Sequence, residues 1–167
     1  MARRKAFRPV VEATSNGYVI NLDREEIDLL VRLLGEMRAL IVEKDPQHAA
    51  ILRRLFPPAY HLAEDAEAEA EYQRLMRDDL AASRLSAVYT VESLLRHGEP
   101  LNDEAMQAFL QSLNSVRLVL GTLLDVGEME DPNEVDDDDP MVGEHHLYHF
   151  LSYLLEASIQ ALSESGT

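Results

Sequence analysis

The sequence predicts a mainly α fold, a helical bundle of four to five helices with a small N-terminal β-hairpin. Three observations predict it. Apolar residues recur at spacings of three and four over long stretches, the signature of one buried helix face. Prolines and most glycines fall between those stretches, where helices end. Only the segment around Tyr18, Ile20 and Leu22 alternates with period two, as a half-buried strand does. With 167 residues and 46% of them apolar, one domain spanning 1–167 is expected, large enough to bury a core.

The elements follow in order. A hairpin is expected over residues 6–22, because Asn16-Gly17 between two β-prone runs suits a type I′ turn, whose central residues need positive φ. A lone hairpin is marginal in water, so it should rest on a helix. Asp23 and Glu26 have the spacing of a capping box and open a helix running to about Glu43. There Ile27, Leu30, Val31, Leu34, Met37 and Ile41 form one stripe, and Leu29, Leu33 and Leu40 a second beside it. So wide an apolar surface predicts a central helix, with Gly35 admitting a close neighbour. Asp45-Pro46 breaks the chain, and Gln47 to Phe56 forms a short helix stopped by Pro57-Pro58.

The longest helix is expected from Asp65 to His97, with Tyr72, Met76, Leu80, Ala87, Val91 and Leu95 facing inward. Its first turns are acidic, as the positive end of a helix dipole favours. Gly98 and Pro100 close it and Asn102 caps the next helix, whose inner stripe is Met106, Phe109, Leu110, Leu113, Val116, Leu120 and Leu123, with Gly127 at its end. Residues 128–143 are crowded with carboxylates and carry no base, so self-repulsion predicts a mobile acidic loop. A last helix from about Glu144 to Leu162 presents Leu147, Leu151, Leu154, Ser158 and Leu162. No internal repeat is visible.

Net charge is −16 and unevenly spread: residues 1–60 hold ten Lys/Arg and eight Asp/Glu, whereas 101–167 hold one and fourteen. Such a field repels phosphate backbones, so DNA contact is expected only indirectly or through the basic N-terminal Arg3, Arg4, Lys5 and Arg8. The absence of cysteine rules out disulfides, thiolate nucleophiles and thiolate-ligated metals within the chain. No apolar run long enough to span a bilayer and no signal-peptide core are visible, so a cytoplasmic location is expected.

No motif of nucleophilic, nucleotide-dependent or hydrolytic catalysis appears, so neither catalytic residues nor a cofactor are expected. His145 and His149 lie four apart on one helix face, beside His146, and are candidate zinc or nickel ligands; no HExxH glutamate or second ligand cluster accompanies them. The ordinary reading is a solvent-facing helix start, and no native metal is expected. Asp136, Asp137, Asp138 and Asp139 lack the alternating ligands and glycine of a calcium loop, and are read as a solvated run that can dock on a basic partner surface. Asn114 and Arg117 share a helix face and suggest an anion site or, preferably, a structural pair in which the guanidinium meets Asp78 or Asp79.

Leu55-Phe56-Pro57-Pro58-Ala59-Tyr60, the acidic stretch after it, Leu113-Asn114-Ser115-Val116-Arg117-Leu118-Val119-Leu120-Gly121 and Leu147-Tyr148-His149-Phe150-Leu151 occur in an order that resembles an actinobacterial domain-of-unknown-function family. Its genes commonly sit beside the Clp protease adaptor ClpS, and it includes the oxidative-stress transcriptional regulator AosR. The resemblance implies a non-enzymatic regulator of oxidative-stress and cysteine-supply genes acting through a protein partner such as a sigma factor. The alternative it implies is an adaptor or accessory subunit in Clp-dependent regulated proteolysis. The redox switching of that regulator is described through cysteines, and this chain has none, so binding rather than thiol sensing is the implied role. A homodimer is compatible with the wide apolar faces, as is simple core packing.

Overall fold

The structure, a computed structural model, describes residues 7–124 and 142–166. Strands β1 (Val11–Thr14) and β2 (Gly17–Ile20) form an antiparallel hairpin, followed by α1 (Arg24–Glu43), a 3₁₀ turn at Pro46–His48, α2 (Ala49–Leu55), a second 3₁₀ turn at Ala63–Asp65, α3 (Ala66–His97), α4 (Asp103–Leu124) and α5 (Val142–Ser165). The chain is thus a helical bundle with a small N-terminal hairpin, as its periodicity predicts. The acidic stretch 128–143 and Gly127 fall almost wholly outside the described residues.

Local chemistry sets most boundaries where expected. Asp23 accepts from the Glu26 amide at 2.9 Å while Glu26 accepts from the Asp23 amide at 2.9 Å, completing the capping box of α1. Lys44, with φ 50°, ends that helix in the left-handed region. Asn102 caps α4 through the Ala105 amide at 2.8 Å. At ~1.5 Å per residue, the 32 residues of α3 span about 48 Å.

The hairpin turn differs from expectation. Thr14 pairs with Gly17, leaving Ser15-Asn16 as the loop. Lys44 is the one non-glycine residue of positive φ among those described, so neither loop residue adopts a type I′ conformation. The positive φ, 121°, belongs to Gly17. A Cβ there would stand 2.5 Å from the Leu101 carbonyl oxygen, so glycine answers to both strain and a tertiary approach. That approach places Leu101 beside β2: Tyr18 and Leu101 exchange two backbone hydrogen bonds, each 2.8 Å. Val11 and Tyr18 are buried, and β1 packs on α5, where the Tyr18 hydroxyl and Ser165 Oγ share a hydrogen bond of 2.5 Å.

The central helix is α4 rather than α1. It packs on α5, α3, α2 and α1 and buries Ala105, Met106, Phe109, Ser112, Leu113, Ser115, Val116 and Leu120. In α1 only the first stripe is deep; Leu29, Leu33 and Leu40 are half-buried. Nor is Gly35 a point of close approach, since a Cβ there would meet nothing nearer than 3.8 Å. Gly121 is one: a Cβ on it would lie 3.1 Å from Tyr148, where α4 and α5 meet. Helix α3 buries Val88, Val91, Glu92 and Leu95, all in its second half. Tyr72 is half-buried and Met76 and Leu80 are exposed, contrary to the stripe expected from spacing, because the early turns of α3 have solvent rather than a helix on that side. Leu123, also expected inside, is exposed as well.

Candidate functional site

Among the described residues, Glu92, Arg38 and Arg84 carry charge into the interior and join one helix to another. Glu92 on α3, 5% exposed, accepts from Arg38 on α1 at 2.6 Å. Arg38 in turn lies over the Tyr89 ring, 4.6 Å from its centre. The second carboxylate oxygen of Glu92 is buried without a hydrogen-bond partner. Arg84 on α3 donates through Nη1 to Ser115 Oγ on α4 at 2.8 Å and through Nη2 to the Leu55 carbonyl at 3.0 Å, with the Phe56 ring 5.4 Å away. It thus holds the C-terminal end of α2 against α3 and α4, using the fork that only a guanidinium offers. Burial pulls its pKa below the ordinary value.

These residues were not singled out by sequence reasoning, yet a signal existed. Arg84 and Glu92 stand four residues on either side of Val88, in register with the buried face of α3. A charge inside an apolar stripe implies a partner on the facing helix.

The residues that were singled out are placed as follows. Arg117 Nη2 donates to Asn114 Oδ1 at 3.0 Å, so that pair forms. It does not recruit Asp78 or Asp79: both are exposed, and Asp78 instead receives Lys44 at 3.4 Å. The cause is rotational, because the face of α3 turned to α4 carries Arg84, while Asp78 and Asp79 look outward. Arg117 Nε is buried and has no hydrogen-bond partner. His145 and His149 lie half-buried on the first turns of α5, with His146 exposed and Tyr148 edge-on to the His149 ring at 5.5 Å. Among the described residues no group of three or more His, Cys, Asp or Glu gathers as a metal site. Asp136 to Asp139, proposed for partner docking, and Arg3, Arg4 and Lys5 lie outside the described residues.

Among the clefts of the described residues, two border α2. One, of about 400 Å³, lies between the end of α1, α2 and α3, where Lys44, Arg53 and Arg77 face Asp45 and Glu69. Its charges largely cancel, and Glu69 is already committed: Oε2 accepts the Ala59 and Tyr60 amides at 2.9 and 2.8 Å, and Oε1 accepts from Gln73 at 2.7 Å. Gln73 most of all, with help from the two amides and His61, holds the Glu69 carboxyl below its usual pKa, although desolvation works the other way. The second, of about 210 Å³, is an apolar cleft between α1, α2 and α4 lined by Leu33, Met37, Leu40, Ile51, Val119 and Leu123. Neither cleft brings together a nucleophile and a base.

Among the described residues no helix is long and apolar enough to cross a membrane. No curated protein and no solved structure matches the chain. One family model does, over residues 4–162, and with that span the chain belongs to the family described as a domain of unknown function, DUF2017.

Proposed function

We propose that the protein is a non-enzymatic regulator that works by docking on another protein. Following the resemblance set out above, the expected partner is a component of the transcription machinery such as a sigma factor, and the expected targets are genes of oxidative defence and cysteine supply. The observation that supports this reading is the division of labour among side chains. Arg38, Arg84 and Glu92, which reach the interior, are committed to joining helices. Meanwhile Leu75, Met76 and Leu80 stand 57, 42 and 38% exposed on the acidic half of α3. Apolar side chains grouped in a charged surface suit a protein interface. A net charge of −16 leaves direct DNA recognition to the partner.

The test is affinity capture of the full-length protein from its native cells, with mass spectrometry of what it retains and an electrophoretic shift assay on the purified chain. Retention of a transcription factor with only weak, salt-sensitive DNA binding is the expected result. Tight, sequence-specific DNA binding by the isolated protein, or turnover of a small molecule, refutes the proposal.

A further inference from the structure

Among the described residues, the two-stranded sheet has one used edge and one open edge. The Asn21 amide donates to the Val10 carbonyl at 2.8 Å, so Val10 and Asn21 are a hydrogen-bonded pair. With Val11 opposite Ile20, Glu12 opposite Val19 and Ala13 opposite Tyr18, bonded and non-bonded pairs alternate from there. The backbone N–H and C=O groups of Val11 and Ala13 therefore point away from β2, as those of Tyr18 point away from β1. On the β2 side Tyr18 spends these groups on Leu101. On the β1 side no strand pairs with Val11 and Ala13 among the described residues.

A groove of about 590 Å³ runs along this open edge, between β1 and α5. Phe7, 93% exposed, and Tyr153, 58% exposed, contribute aromatic surface, while Ala157 and Ala161 on α5 leave room for a chain. The charged side chains lining it, Glu12, Glu156 and Glu164, are all carboxylates. An open strand edge beside a helix is the setting in which an extended peptide adds as a further strand, its main chain giving affinity and its alternate side chains giving selectivity.

We propose that this groove binds an extended, basic segment of a partner protein as a third strand on β1. The segment's backbone pairs with Val11 and Ala13, and its lysine or arginine side chains meet Glu12 and Glu156. Nucleic acid fits poorly, because its phosphates would face the same carboxylates. A second copy of this chain fits poorly too, since pairing β1 with β1 sets Glu12 and the acidic face of α5 against their own likeness. The proposal rests on the docking reading above and adds where one segment of the partner sits.

The test uses a short fluorescein-labelled peptide alternating lysine and valine, titrated into the full-length protein by fluorescence anisotropy. Saturable binding is expected, weakened about tenfold or more when alternate peptide amides are N-methylated. Ala13→Pro should weaken it comparably without unfolding the hairpin, since the amide removed makes no bond to β2. Glu156→Lys should weaken it as well, and bound peptide should slow amide exchange at Val11 and Ala13. Equal binding of the N-methylated peptide would reduce the effect to attraction by an acidic surface and overturn the proposal, with no variant required. A concentration-dependent dimer that Ala13→Pro dissolves would overturn it in favour of a second copy. Native-partner capture that survives both Ala13→Pro and Glu156→Lys would remove the groove yet keep the docking reading, whereas capture of nothing would remove both.

Discussion

Replacing Arg38 by alanine should destabilise the protein far more than replacing its partner. Glu92 is buried on α3 with one carboxylate oxygen on Arg38 at 2.6 Å and the other without a partner. Removing the guanidinium strands a charge in the interior, a loss of roughly 3–5 kcal/mol for fully buried pairs. Since the Arg38 side chain keeps 28% of its exposure, solvent screens part of this, and about 2–3 kcal/mol is the figure to expect. Loss of the contact with Tyr89 adds about 0.5 kcal/mol. Glu92→Leu, by contrast, leaves an arginine that can turn to water, at a cost of about 1 kcal/mol. The double variant Arg38→Met/Glu92→Leu should fall within about 1 kcal/mol of wild type, as apolar replacement of buried pairs does. Urea titrations of the four proteins give the double-mutant cycle, and thermal melts should show Arg38→Ala lower by about 5–10 °C. Equal losses for the two single variants, or a loss below about 1 kcal/mol for Arg38→Ala, would refute the reasoning.

Other outcomes follow from the same geometry. Arg84→Ala should cost about 2–4 kcal/mol by calorimetry, because Ser115 Oγ and the Leu55 carbonyl lose one donor; Arg84→Lys should recover less than half, lacking the fork. Gly35→Ala should stabilise by about 0.5–1 kcal/mol, given ordinary van der Waals room around the added methyl, whereas Gly17→Ala should cost about 1–3 kcal/mol through its positive φ and the Leu101 carbonyl; melting temperatures moving in the same direction would refute this. Because the folded pKa of Glu69 is depressed, its contribution is complete above the ordinary carboxylate pKa and is lost as pH falls through the lower folded value. The Ala59 and Tyr60 amide resonances should therefore shift together in that acidic window in wild type and stay still in Glu69→Gln, as a pH series of amide spectra will show.

The sequence by itself determined the features that depend on neighbours within a turn or two. The capping box at Asp23 and Glu26, the long helix ending at Gly98 and the Asn102 cap arise from contacts three or four residues apart, and they appear where the spacing places them; the hairpin is local too, but its loop falls one residue earlier than Asn16-Gly17. The Asn114–Arg117 pair belongs to the same class, being local to α4. Only the tertiary structure decided which apolar stripe lies deepest. Leu29, Leu33 and Leu40 read as a second core face, as did Met76 and Leu80, but burial requires a facing element, and the elements wrap α4 instead. It likewise decided that Arg84, not Arg117, bridges α3 and α4, and that the Leu101 carbonyl, from far along the chain, comes so close to Gly17 that no Cβ fits there. The Arg38–Glu92 pair joins residues 54 positions apart. Periodicity says which residues share a face, and only the packing of one helix against another says what that face meets.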